Sequence, residues 1–265
     1  MIIAYSTVLL LSALVMAGAI PSLVGEASFT LLLGVSAFKL YRLARKSQNL
    51  PWQRGVVAMA LAATIITLHN LAWVYGGLMG EVPLALEFVG ASLYTLQVVP
   101  WAFALSVALF IVYDRIRGAL YLEILTHLIG IVAAVVFMIA VSLGLVLGAE
   151  LGIAIADGAG LYLSAALLVP AIALWFSRKD VNLTRPFLLI SAATVAWFLA
   201  DAFYLYLSEA YADMAFNSLA LVQWFLLYRA ARLYVSEHTA QPEREEASGV
   251  ISMPPLQATT ELNKG

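Results

Sequence analysis

Asp201 is the residue of this chain best suited to chemistry. It stands about seven residues inside one end of an apolar run at 186–208. If that run crosses a membrane, the carboxyl group lies at hydrocarbon depth. Burying an unpaired carboxylate there is costly, so such residues face a bundle interior or a wet cavity and often mark ion or substrate paths. At helical spacing its face also carries Thr194, Trp197, Tyr204 and Ser208. The chemistry on offer is reversible protonation coupled to binding. The plainer alternative is a hydrogen-bond anchor between helices.

Other polar and aromatic residues could join it. Glu87, Tyr94, Gln97 and Trp101 fall on one helical face of the run at 84–112. Glu87 stands near the end of that run and could simply reach water, whereas Gln97 is closer to mid-membrane and needs partners. His69 and Asn70 lie at a depth similar to Asp201. Being adjacent, they point about 100° apart, and Asn70 shares its face with Trp73. A pairing of His69 with Asp201 or Glu87 would form a proton-coupled element. The last apolar run brings Asp213, Asn217, Trp224 and Tyr228 to one approximate face, with Gln223 beside them. Trp197, Tyr204, Trp224, Tyr94 and Trp101, with Asp201 and Gln97, could line an elongated pocket for an apolar or amphipathic molecule. Toward the opposite membrane face, Glu123 and His127 are four residues apart and could touch, either as an interfacial pair or as a proton gate. Asp157 reads as a helix cap.

Several chemistries find no footing. Cysteine is absent, which removes disulfides, thiolate nucleophiles and thiolate metal sites, and three scattered histidines do not make a metal site. There is no HExxH, GxSxG, Walker A or dinucleotide glycine fingerprint. The final apolar run has no lysine for a retinal Schiff base. No cofactor is indicated.

The elements that must position these residues are membrane spans. The chain has 265 residues, 63% hydrophobic and 11% charged, about half the charge of a soluble domain. Apolar segments run roughly 2–21, 28–44, 56–76, 84–112, 120–148, 158–176, 186–208 and 214–235. Several exceed the roughly 20 residues that cross a bilayer as a helix. The short alternating strands of a β-barrel are missing. All 14 basic residues fall on one side of this map: Lys39, Arg42, Arg45, Lys46 and Arg54, then Arg115 and Arg117, then Arg178, Lys179 and Arg185, then Arg229 and Arg232, then the tail. The other connections hold Glu26, Glu81, Glu150, Glu209 and Asp213. This is the positive-inside pattern. The expectation is an all-α, polytopic integral membrane protein: an eight-helix transmembrane bundle in the cell membrane with both termini cytoplasmic.

The first segment ends in Ala17, Gly18 and Ala19 but has no basic residue before its core, so it reads as a retained helix rather than a signal peptide. Pro100 predicts a kink near Leu96–Pro100, and Pro170 interrupts the sixth run. Gly144, Gly148 and Gly152 form a small-residue ridge suited to close packing. The bundle occupies 1–235. Residues 236–265 are polar and aperiodic and read as a disordered cytoplasmic tail, either an unconstrained end or a docking peptide for a cytoplasmic protein. Asn70, Trp73 and Tyr75 match Asp201, Tyr204 and Tyr206 at an offset of 131. The halves could therefore be a parallel 4+4 repeat, although such matches also arise by chance in low-complexity apolar sequence.

Three function classes remain. The first is proton-coupled secondary transport of a small, apolar or amphipathic molecule. The second is a membrane sensor or signalling protein that binds an apolar ligand within the bundle. The third is an intramembrane lipid-modifying enzyme using Asp201, Glu87 and His69, which is weakened by the scarcity of catalytic groups. The expected partners are the lipid bilayer and a small-molecule or lipid ligand, with no role for nucleic acid.

Overall fold

The computed structural model describes residues 2–19, 21–80, 83–112, 118–145, 162–176, 181–206 and 209–239. Its secondary structure there is helical: α1 Ile2–Met16, α2 Ser22–Ala44, α3 Leu50–Met79, α4 Leu84–Leu96, α5 Val98–Ile111, α6 Gly118–Leu145, α7 Leu168–Phe176, α8 Val181–Tyr206 and α9 Glu209–Thr239. Among the described residues, five helical stretches are long and apolar enough to cross a membrane: 22–44, 50–79, 85–111, 120–138 and 185–204. Two apolar helices are shorter, Ile3–Val15 and Tyr162–Phe176, the latter containing α7. The protein is an all-α polytopic membrane protein. Arg115, Arg117, Glu81, Glu150, Gly148, Gly152, Asp157, Arg178, Lys179, Ser208 and the tail beyond 239 lie outside the described residues, as do the side chains of Asp213 and Glu209; Gly144 lies near the end of α6.

Local sequence explains the helix limits. The Asn49 side chain accepts the Trp52 N–H at 3.0 Å, and Pro51 follows in the first turn, so α3 starts there. It stops at Gly80, whose φ of 81° is the left-handed conformation that glycine reaches without a Cβ clash. The expected kink at Pro100 takes the form of a break. Proline has no N–H for the Leu96 carbonyl four residues back, and α4 gives way to α5 through a turn at Gln97. The stretch 162–176 repeats the device: its turn falls at Leu167, three residues before Pro170.

In packing order α2, α3, α5, α7, α8 and α9 form a closed ring, with α9 returning to α2. α1 lies against α2 and α9, α4 against α3, and α6 against α5, α4 and α7. Lipid tails are as apolar as leucine, so burial alone does not drive helices together in a bilayer; close packing and interhelical hydrogen bonds do. The sequence supplies both. Ala58, Ala60, Ala62 and Ala63 are buried along α3, and a Cβ on Gly55 would meet Val107 Cγ1 at 3.1 Å. From α1, the Tyr5 hydroxyl shares a 2.8 Å hydrogen bond with Ser36 Oγ on α2, and its ring meets Phe225 of α9 edge-on. Large apolar side chains such as Leu31, Phe38, Phe103, Phe110, Ile129 and Phe137 point outward, as lipid contact requires. Trp52 at the start of α3 stacks on Tyr234 of α9 at 4.0 Å and meets Phe187 of α8 edge-on.

Candidate functional site: a buried carboxyl in an aromatic core

Asp201 lies on α8 with only 5% of its surface exposed. Its Oδ1 accepts a hydrogen bond from the Tyr94 hydroxyl on α4. Ser164, fully buried in the 162–176 stretch, and Trp197 face the same carboxyl. Oδ2 is buried with no hydrogen-bond partner among the described residues. The Tyr94 hydroxyl also accepts the Trp197 Nε1–H at 3.3 Å, so one oxygen links two side chains of α8 to α4.

Aromatic contacts extend the cluster in two directions. Toward α3, the His69 ring lies 5.2 Å from the Tyr94 ring and 6.2 Å from Trp73. His69 Nδ1 is 2.8 Å from the Gly90 carbonyl. A carbonyl oxygen can only accept, so Nδ1 carries the proton, and in the neutral ring Nε2 is left as the acceptor. Toward α5 and α9, Trp101 meets Trp197 at 5.1 Å and Trp224 at 5.6 Å, both edge-on. Its Nε1–H donates to Thr194 Oγ1 at 3.2 Å, and Thr194 donates to the Ile190 carbonyl.

His69, Tyr94, Trp101, Trp197, Trp224 and Asp201 form one contiguous network across α3, α4, α5, α8 and α9. Other candidates sit apart. Tyr204 is 53% exposed and meets Phe216, which also meets Tyr94. Glu87 is half-buried in the first turn of α4. Gln97 is buried at the α4–α5 break. Asn217 is half-buried on α9; Asn70 is half-buried too, and its Nδ2 has no partner among the described residues. His69 bonds the Gly90 backbone, and the Tyr94 ring stands beside it, where a carboxylate partner was expected. His127 Nε2 donates to the Ala166 carbonyl at 2.9 Å, while Glu123 is exposed.

Ser164, Gly90 and Phe216 belong to this neighbourhood and were not singled out from the sequence. A lone serine in an apolar run, a backbone carbonyl and a phenylalanine carry no signal of their own. Among the described residues no group of three or more His, Asp or Glu side chains could hold a metal ion. Two apolar grooves open on the outer surface, one between α2 and α3 and one between α3 and α5, and Asp201 lines neither.

No protein-family model, no curated protein and no solved structure matches this chain. The class it belongs to, a polytopic helical membrane protein, rests on its own fold and composition.

Proposed function

We propose that this protein is a proton-coupled secondary transporter for a small apolar or amphipathic molecule, with Asp201 as the residue that takes up and releases the proton. The observation that carries this reading is the Asp201 carboxyl itself: buried, tied to α4 through Tyr94, and with Oδ2 unpartnered among the described residues. A carboxylate accepts hydrogen bonds only, while a carboxylic acid can also donate. Proton exchange therefore changes the bond that holds α4 to α8. The α4–α5 break at Gln97, where Pro100 withholds an N–H, is a natural pivot for such a change. His69, half a network away on the same tyrosine, supplies a second exchangeable group.

The transporter reading carries a topology with it: eight spans, counting α4 and α5 as one, in the cell membrane, with both termini on the cytoplasmic side. The support is the one-sided distribution of Lys and Arg. The tail beyond 239 would then be cytoplasmic, and any protein partner it docks would meet it there.

The substrate is found by a thermal-shift screen of the purified protein against lipids, amines, weak acids and metal ions. The hit is then added to wild-type and Asp201→Asn protein in weakly buffered detergent with a pH indicator dye. The transporter reading expects a proton to be taken up or released on binding by the wild type alone. Identical proton exchange in both proteins removes Asp201 from the mechanism. Stabilisation without proton exchange or flux assigns the chain to the sensor class, and chemical turnover of the hit assigns it to the enzymes.

A further inference from the structure

The groove between α2 and α3 is walled by Leu31, Gly34, Val35 and Phe38 on one side and Leu71 and Val74 on the other, and encloses about 620 Å³. It also touches Thr30 and Thr67, but both hydroxyls are turned back on their own helices, to the Glu26 carbonyl at 2.8 Å and the Ala63 carbonyl at 2.6 Å. The wall is therefore apolar throughout, although two of its residues are not. Gly34 forms part of its floor, where a Cβ would stand in ordinary contact with Thr67 Cγ2 at 3.6 Å.

Continued along α2, the same face changes character. Leu31, Gly34, Val35 and Phe38 are followed at helical spacing by Arg42 and Arg45, both exposed. The Arg42 guanidinium lies over the Phe38 ring, 5.9 Å from its centre, which places a cation at the mouth of the groove. Among the described residues no carboxylate pairs with it. From Leu31 to Arg42 the helix rises about 16 Å, one leaflet's share of a hydrocarbon core roughly 30 Å thick.

We propose that this groove is a binding site for one anionic phospholipid, with an acyl chain lying along Gly34 and the phosphate held by Arg42 and Arg45. An acyl chain matches the wall, which offers no polar contact. A phosphate matches the guanidinium fork, which can grip two oxygens at once. A second copy of the chain fits less well. In one membrane a two-fold contact through this face would set Arg42 against Arg42 at the same depth.

The test uses the full chain in detergent, titrated with phosphatidylglycerol or phosphatidylcholine of identical acyl chains, with bound lipid counted by native mass spectrometry. The wild type is expected to bind one phosphatidylglycerol roughly tenfold or more tightly than phosphatidylcholine, the scale of two surface cations acting on one anion. Arg42→Gln with Arg45→Gln removes that preference while leaving weak binding of both lipids. Val35→Trp, which fills the groove, reduces both. Equal wild-type affinity for the two lipids overturns the proposal and requires no variant. Displacement of the bound lipid by glycerol phosphate at equal concentration overturns it as well, because the groove would then contribute nothing. So does a Val35→Trp protein that retains phosphatidylglycerol unchanged.

Discussion

One oxygen, the Tyr94 hydroxyl, holds the candidate site together, since it donates to Asp201 and accepts from Trp197. Tyr94→Phe removes both bonds and leaves two buried polar groups behind. Interhelical hydrogen bonds in membranes average about 0.6 kcal/mol, and orphaning a buried group costs roughly 1–3 kcal/mol. The expected loss is about 2 kcal/mol in equilibrium unfolding from mixed micelles, and a change within experimental error would show that the hydroxyl holds nothing. Ser92 is the matched control on the same helix. Its Oγ is buried with no partner among the described residues, so Ser92→Ala should stay within about 0.5 kcal/mol of wild type. Asp201 was legible in the sequence because a carboxylate at hydrocarbon depth stands out against leucine and valine. Its bond to Tyr94 was not, because periodicity places residues on a face but does not set the register between two helices. Tyr204 shows the coarseness of a face. At 100° per residue it sits about 60° round the axis from Asp201, and it is exposed while Thr194 and Trp197 are buried.

At the scale of elements, the two proline breaks follow one rule and are resolved differently. Pro170 cannot supply an N–H to the carbonyl of Ala166, four residues back, and that carbonyl accepts from His127 Nε2 on α6. The histidine replaces the hydrogen bond that the proline removes. His127→Leu should therefore cost about 1–2 kcal/mol. Adding Pro170→Ala, which introduces the missing N–H, should recover most of that loss. A double-mutant cycle measured by unfolding in micelles reads the coupling directly, and strictly additive effects would mean that the two residues act independently. The breaks themselves were legible, since proline geometry is local. The role of His127 was not. Its four-residue spacing from Glu123 suggested an ion pair on one helix, and only the packing of α6 against the 162–176 stretch brings Ala166 within reach.

At the scale of the whole molecule, the all-α class and the order of the helices were legible because hydropathy and proline report on a chain locally; eight spans were expected, and among the described residues five helical stretches are long and apolar enough to cross a membrane. The ring closed by α9 on α2, and the positions of α1 and α6 outside it, depend on side-chain fit that no single run encodes. The eight-span topology makes a separate prediction. Reporters placed on a shortened C-terminus and in the 150–157 connection should lie on opposite sides of the membrane, and a common side would end that topology. Truncation after about residue 240 should leave the protein accumulating in membranes at wild-type levels, since the removed sequence has no apolar periodicity with which to join the bundle; loss of accumulation would give the tail a structural part. The central claim concerns Asp201 and is tested most directly by uptake into proteoliposomes carrying a pH gradient, using the ligand found by thermal shift. Asp201→Asn keeps the shape of the side chain but cannot release a proton. The account predicts that the wild type accumulates the ligand only while the gradient lasts and that Asp201→Asn does not accumulate it at all. Gradient-driven accumulation by Asp201→Asn equal to that of the wild type would contradict it.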